Sequence, residues 1–90
     1  MKITYDPAKR AATLHVRGVD FEDAVEVFDG EVIDILDERF DYGEVRTLTF
    51  GHLRDRMMVV VWTQRGEARH VISMRKANER EKKRFGEQLK

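Results

Sequence analysis

The run Met57-Met58-Val59-Val60-Val61-Trp62 decides the fold, because six consecutive apolar residues without polar alternation need cover on both faces. Its β-branched and aromatic side chains favour a strand. Short polar turns separate this strand, residues 57–65, from two further β-rich runs at residues 45–51 and 69–75. We therefore expect residues 57–65 to form the central strand of a mostly antiparallel sheet.

The segment before this sheet predicts a short strand and two helices. Residues 2–5 alternate polar and apolar side chains, as a strand does. Asp6 can cap a helix that begins at Pro7, and Gly18 can end it in a left-handed turn, which predicts a helix over residues 7–16. Asp20 can cap a second helix, whose apolar residues fall on one stripe: Phe21, Ala24, Val25 and Phe28.

The remaining segments predict another strand and a last helix. Residues 32–36 read as a strand, and Asn78 and Glu81 have the spacing of a capping box that opens a helix running to about Leu89. The apolar stripe of this helix is thin, so we expect it to dock weakly or to wait for a partner chain. The order β-α-α-β-β-β-β-α predicts an α+β fold in a single domain, residues 1–90.

Composition and length exclude several classes of protein. Ninety residues that are 41% hydrophobic suffice for one small domain, and the absence of cysteine excludes disulfides and thiolate metal sites. The longest apolar run has six residues, whereas a helix that crosses a bilayer needs about 20. With no apolar stretch of a signal peptide after Met1, we expect a soluble cytoplasmic protein that does not meet a membrane.

The charges are divided between the two halves of the chain although the formal net charge is zero. Residues 1–45 hold five Lys and Arg against twelve Asp and Glu, and residues 46–90 hold twelve against five. The basic half indicates an anionic partner such as nucleic acid, and the acidic half either a solvated face or a surface for something basic. Two solvated surfaces that attract each other in the fold explain the same division.

Neither metal chemistry nor a nucleophilic serine is indicated. The three histidines, at positions 15, 52 and 70, lack the spacing of a metal site, and the single serine, Ser73, lies within a β-rich run. We therefore expect no metal and no other cofactor. His15 and His70 are expected to be structural, and Trp62 to lie in the core.

Arginines on the predicted strands are the most informative polar residues. Alternation places Arg69, Val71, Ser73 and Arg75 on one face of the last strand, with His70, Ile72 and Met74 on the other. A short turn should place Arg65 across from Arg69, with Arg46 near them. Guanidinium pairs match phosphate geometry, and the 2′-hydroxyl of RNA supplies an internal nucleophile. The pattern thus suits a protein that cleaves RNA. Arginines that only solubilise an exposed face of the sheet explain it equally well.

These residues together resemble a known family. The segments that carry the resemblance are Asp6-Pro7-Ala8-Lys9, Gly18 to Ala24, Val27-Phe28, Arg46, Gly51, Val59 to Arg65, Arg69 to Ala77 and Glu81. In order and spacing, over nearly the whole chain, they resemble the BrnT family of bacterial toxins.

The resemblance implies a type II toxin-antitoxin system. Its toxin would be a small RelE-like ribonuclease that cuts RNA and arrests growth, with helices packed against a mostly antiparallel sheet. The implied partner is a BrnA-like antitoxin, a ribbon-helix-helix protein, and the toxin would meet DNA only through it.

The resemblance also implies site residues. Lys9, Arg46, Arg65 and Arg75 stand at the family's lysine and arginine positions, which implies catalytic roles for these four. We expect the neighbouring cations Arg17, Arg69 and Lys76 to bind RNA. Glu81 also matches the family, but the predicted capping box accounts for it.

The chain departs from the family pattern at two places. Members commonly have Asn and then Lys-His-Gly-Val, where this sequence has Thr13 and then Val16-Arg17 before Gly18. The usual C-terminal tyrosine is Phe85.

The arginine pattern and the family resemblance together predict a metal-independent endoribonuclease toxin, whose proton-transfer residues are unassigned. The alternative is a non-catalytic module of the same fold that binds RNA or the antitoxin.

Overall fold

A five-stranded sheet with helices on both faces forms the body of the molecule, in a computed structural model that describes residues 1–89. The strands are β1 (Ile3–Tyr5), β2 (Val32–Leu36), β3 (Thr47–Leu53), β4 (Arg56–Arg65) and β5 (Ala68–Lys76). The helices are α1 (Pro7–Arg17), α2 (Ala24–Asp29) and α3 (Glu79–Phe85), and a 3₁₀ turn over Phe21–Asp23 leads into α2. The predicted α+β class is confirmed.

The strands lie in the order β1-β5-β4-β3-β2, so that β4 is the central strand, as its apolar run predicts. The β2–β3, β3–β4 and β4–β5 pairs are antiparallel, whereas β1 pairs with β5 in parallel and makes the sheet mixed. No helix within residues 1–89 combines the length and the apolar character that spanning a membrane requires.

Both faces of β4 are covered by packed side chains. The α2 face of the sheet carries Met58, Val60 and Trp62, which pack with residues of the 3₁₀ turn and α2. The α3 face carries Met57 and Val59, which pack against α3. The unalternating apolar sequence is therefore explained by two separate cores, one on each side of the sheet.

Local capping signals in the sequence place the helix ends. Asp6 accepts a hydrogen bond from the backbone N–H of Ala8 at 2.9 Å, and Gly18 ends α1 with a φ of 67° in the left-handed region. The capping box of Asn78 and Glu81 opens α3, with both of its reciprocal hydrogen bonds present. These three predictions are confirmed, because each depends only on a few neighbouring residues.

Helix α3 docks within the chain. Its Phe85 ring lies 4.4 Å from the ring of Phe50, and Phe85 and Leu89 are both buried on the α3 face. The helix ends at Phe85, four residues before the predicted end. Phe85, which stands where the family usually has tyrosine, thus packs against the sheet through its ring and without a hydroxyl group.

A bulge in β5 overturns the predicted face of several side chains. Val61 pairs with Ser73 but Trp62 pairs with Val71, so Ile72 has no partner on β4. Cross-strand partners share a face, and the extra residue reverses the alternation along β5. The prediction that Arg69, Val71, Ser73 and Arg75 share one face is wrong. Arg69 and Val71 lie on the α2 face, and Ser73 and Arg75 lie on the α3 face.

The same bulge separates His70 from Met74. Met74 is buried with Val71 in the core of the α2 face, whereas His70 pairs with Thr63 on the α3 face. The prediction that His70 shares the apolar face with Met74 is therefore wrong.

Arg65 and Arg69 also lie on opposite faces. Only Gly66 and Glu67 connect β4 to β5, so Arg65 pairs with Ala68, and Arg69 pairs with Gln64. Because adjacent residues of a strand point to opposite sides, the expected pairing of Arg65 with Arg69 is wrong.

Candidate active site

The loop before β3 is fixed alongside the last residues of β4. Thr63 is buried, and its hydroxyl donates a hydrogen bond of 2.7 Å to the backbone carbonyl of Val45. The residues on either side of Val45, Glu44 and Arg46, are thereby held beside Arg65, which ends β4 on the α3 face.

Glu44 lies between two arginines. Its Oε2 is 3.1 Å from Nε of Arg46, and its Oε1 is 3.7 Å from Nη2 of Arg65. The Arg46 guanidinium also stacks on the ring of Tyr42, with 3.8 Å between its central carbon and the ring centroid. Two cations around one carboxylate leave net positive charge, and the arrangement shows that the two guanidiniums can hold one anionic group together.

His70 of β5 pairs with Thr63, two residues before Arg65 on the neighbouring strand β4, and one of its ring nitrogens is held. Thr4 of β1 pairs with His70, and its Oγ1 is 2.9 Å from Nδ1 of the imidazole. The ring is half-buried on the α3 face. Within residues 1–89 no hydrogen bond engages Nε2, so this nitrogen is the one available for proton transfer.

The surroundings of His70 favour its neutral form. Burial is the largest cause that lowers its pKa below the ordinary value of 6.5, and the positive charges of Arg65 and Lys9 lower it further. The carboxylates of Glu44 and Asp6 act in the opposite direction and are outweighed. The imidazole is therefore unprotonated at neutral pH, as a general base requires.

Lys9 lies close enough to His70 for its positive charge to lower the pKa of the imidazole, because α1 begins directly after β1. The strand ends at Tyr5 and the helix begins at Pro7, so the exposed Lys9 lies in the first turn, near the end of the strand that carries Thr4. We refer to Lys9, Glu44, Arg46, Arg65 and His70 as the His70 cluster.

Arg75 lies apart from the His70 cluster. It pairs with Val59, six residues along β4 from Arg65, a separation of about 20 Å at the usual rise of a strand. Its guanidinium forms two hydrogen bonds, of 2.8 and 3.0 Å, with the carboxylate of Glu81. This pairing raises the pKa of Arg75 and lowers that of Glu81.

The three expected RNA-binding cations are also dispersed. Arg69 lies on the α2 face between two aromatic rings, with its guanidinium carbon 4.7 Å from the centroid of Phe28 and 4.2 Å from that of Trp62. Arg17 is exposed at the far end of α1 from Lys9, and Lys76 is exposed at the end of β5. Of the predicted set, Arg46 and Arg65 thus share the Glu44 carboxylate, and Lys9 and Arg65 both lie close enough to His70 to lower its pKa.

Two members of the cluster, His70 and Glu44, were not predicted from the sequence. Strict alternation places His70 in the core, and only the spacing of the apolar residues Val71 and Met74, three apart within one strand, signals a bulge. Glu44 gives no sequence signal, because its contact with Arg65 depends on the path of the loop.

A family comparison covers all of these residues. A model described as "Ribonuclease toxin, BrnT, of type II toxin-antitoxin system" matches residues 5–81. The chain belongs to the BrnT family. The resemblance seen in the sequence is thereby confirmed, and the chain is a ribonuclease toxin of a type II toxin-antitoxin system, which implies an antitoxin partner. Comparison with curated protein sequences gives no match.

The matched region includes every member of the His70 cluster, from Lys9 to His70. It also ends at Glu81, which holds Arg75. Within residues 1–89 no three His, Asp or Glu side chains are grouped so that they could hold a metal ion.

Proposed function

We propose that the His70 cluster is the site at which this BrnT chain cleaves RNA internally, without a metal ion. The observation that supports this most is the carboxylate of Glu44 held by Arg46 and Arg65 beside a half-buried histidine. Such a site offers an anion-binding pair and a neutral base on one face of the sheet.

The two arginines bind the scissile phosphate. A phosphodiester that enters the cluster replaces the Glu44 carboxylate between Arg46 and Arg65, since planar guanidiniums bind phosphate oxygens in the same geometry as carboxylate oxygens. As the 2′-oxygen approaches phosphorus, negative charge grows on the phosphate oxygens. The two guanidiniums stabilise that charge where it develops.

His70 and Lys9 move the protons. Nε2 of His70 takes the proton of the 2′-hydroxyl, and the 2′-oxygen forms a bond to phosphorus. The bond from phosphorus to the 5′-oxygen breaks with its electron pair, and the ammonium of Lys9 gives that oxygen a proton. The products are a 2′,3′-cyclic phosphate and a free 5′-hydroxyl. Solvent then removes the proton from His70 and returns one to Lys9.

Thr4 acts as a positioning residue in this scheme. Its hydroxyl fixes Nδ1 of His70 and so directs Nε2 towards the substrate. The histidine that other BrnT members carry before Gly18 is Arg17 here, and Arg17 lies at the end of α1 remote from Lys9. His70 therefore supplies a proton carrier that the departure from the family pattern left unassigned.

Arg75 lies outside the His70 cluster, unlike the other three residues predicted to be catalytic. Its catalytic role stays a prediction, and its paired hydrogen bonds with Glu81 support a role in anchoring α3 to β5. RNA binding by Arg17, Arg69 and Lys76 likewise stays a prediction.

In the cell, RNA cleavage by this chain would arrest growth until the antitoxin binds. We propose that the antitoxin is a BrnA-like ribbon-helix-helix protein and that the toxin meets DNA only through it. We also propose that the fold is RelE-like and that residues 1–90 form a single toxin domain. The chain acts in the cytoplasm in this proposal.

The deciding experiment is cleavage of a defined RNA by the purified chain in excess EDTA. We expect cleavage by the wild type and at least a 100-fold loss in Arg65→Ala and in His70→Asn. Arg80→Ala, which removes an exposed cation of α3, is the matched control and should cleave normally. RNA binding without cleavage by the wild type would instead support the non-catalytic module, and cleavage only after metal is restored would refute metal independence.

A further inference from the structure

An exposed apolar cluster lies beside the loop that carries Glu44. Leu36, Phe40 and Val45 are 56, 67 and 69% exposed, and all three line one surface pocket. Single exposed apolar residues are ordinary, whereas a contiguous group of large ones marks an interaction site. We refer to these three residues, with Glu38, which lines the same pocket, as the Phe40 patch.

The pocket of the Phe40 patch carries an excess of acidic side chains. Four carboxylates line the pocket, those of Asp37, Glu38, Asp41 and Glu44, together with one guanidinium, that of Arg46. Arg39 pairs with Asp37, and Arg46 pairs with Glu44, which leaves Glu38 and Asp41 as the two carboxylates of the pocket without a salt bridge within residues 1–89. The chemistry of the patch therefore selects a partner that is basic and carries large apolar side chains.

The patch is continuous with the His70 cluster. Glu44, Val45 and Arg46 are consecutive, and all three line the pocket that holds Phe40. The patch also adjoins β2, which ends the sheet order and pairs only with β3 among the strands of residues 1–89. A chain bound here would lie directly beside Arg46 and would restrict the loop that presents it.

We propose that the Phe40 patch is the docking surface for a basic, apolar segment of the antitoxin. Membership of a type II toxin-antitoxin family provides the partner, and the acidic frame around three exposed apolar residues provides the chemistry. The consequence that docking blocks RNA cleavage rests on the proposed function, whereas the docking itself does not.

The test is titration of the purified toxin with its full-length cognate antitoxin, for which the adjacent reading frame is the first candidate. We expect Phe40→Ser and Leu36→Ser to raise the Kd at least tenfold. Val16→Ser is the matched control, because Val16 is 77% exposed on α1 outside the patch, and it should bind within twofold of wild type. Thermal melting of each variant verifies that the fold is retained.

A charge variant tests the acidic component separately. Glu38→Lys should weaken antitoxin binding at least threefold and reduce its dependence on salt, whereas Glu87→Lys, at an exposed position after α3, should do neither. Unchanged binding in both Phe40→Ser and Glu38→Lys overturns the proposal, as does a wild-type chain that does not bind this antitoxin. A toxin dimer that Phe40→Ser dissociates would also overturn it, since the occupant would then be a second copy.

The activity assay distinguishes this inference from the proposed function. Phe40→Ser should cleave RNA as the wild type does and should resist inhibition by the antitoxin. If no variant and no wild type cleaves RNA while Phe40→Ser still weakens binding, the proposed function fails and the docking surface stands.

Discussion

Thr4 and His70 lie 66 positions apart in the sequence and are joined side by side in the sheet, with 2.9 Å between Oγ1 and Nδ1. The contact exists because β1 adds to the edge of β5 in parallel. It leaves Nε2 as the free nitrogen of a ring that is otherwise held by its own strand. The first strand of the chain thus orients the imidazole of His70, which the last strand carries.

Replacing Thr4 with valine should lower kcat and leave KM unchanged. The substitution removes one hydrogen bond of about 1 kcal/mol from the imidazole and keeps the shape, which corresponds to a loss of about fivefold in rate. Single-turnover and steady-state assays of Thr4→Val measure the two constants. Thr4→Ser should restore kcat, and a change confined to KM would argue against a positioning role.

The rate of RNA cleavage should depend on the protonation of His70. Because its pKa lies below 6.5 in the fold, kcat/KM should rise with pH through that lowered value and be level by pH 7. His70→Asn should lose the rising limb together with most of the activity. His15→Asn, at an exposed position on α1, is the control and should keep the profile.

The lowered pKa of His70 should also make the free energy of unfolding depend on pH. A histidine with a lowered pKa takes up a proton more readily in the unfolded chain, so the free energy of unfolding should fall as pH drops below about 6.5. In His70→Asn this part of the pH dependence should be absent. Urea unfolding at a series of pH values measures it, and an unchanged slope in the variant would contradict the environment described for His70.

Lys9→Met should cleave RNA poorly because the leaving 5′-oxygen receives no proton. A substrate with sulfur in place of that oxygen has a leaving group that needs none, so it should restore most of the rate to Lys9→Met and none to His70→Asn. Rates of both variants on both substrates measure this. Equal rescue of the two variants would refute the division of roles between Lys9 and His70.

Arg75→Ala should lower stability more than it lowers the intrinsic rate of cleavage. Loss of the partly exposed pair with Glu81 leaves a capping carboxylate without its cation and should cost about 1–2 kcal/mol in the free energy of unfolding. Arg65→Ala should show the reverse, with full stability and little activity. If folded Arg75→Ala is as inactive as Arg65→Ala, the catalytic role predicted for Arg75 is correct.

The sequence predicted the fold well where the signals are local. Asp6 and Gly18 limit α1, Asn78 and Glu81 open α3, and the apolar run around Val60 identifies the central strand. Each of these depends on neighbouring residues or on an unalternating stretch, which is information that the sequence carries directly.

Only part of the candidate site could be predicted, because the rest depends on contacts between residues that are distant in the sequence. Lys9, Arg46 and Arg65 follow from their charge and their family positions, but the bulge at Ile72 is a property of strand pairing that strict alternation conceals. It moves His70 out of the expected core and places Arg69 and Arg75 on opposite faces. Glu44 joins the site through the bond between Thr63 and Val45, which no spacing in the sequence signals.

Analysis of the RNA ends left by cleavage in EDTA tests the central claim most directly. If the His70 cluster performs the reaction, mass spectrometry should find 2′,3′-cyclic phosphate and 5′-hydroxyl ends, formed by the wild type and by Arg80→Ala. Arg65→Ala and His70→Asn should form neither while remaining folded. Products with 5′-phosphate ends, or undiminished cleavage by folded His70→Asn and Arg65→Ala, would contradict the account.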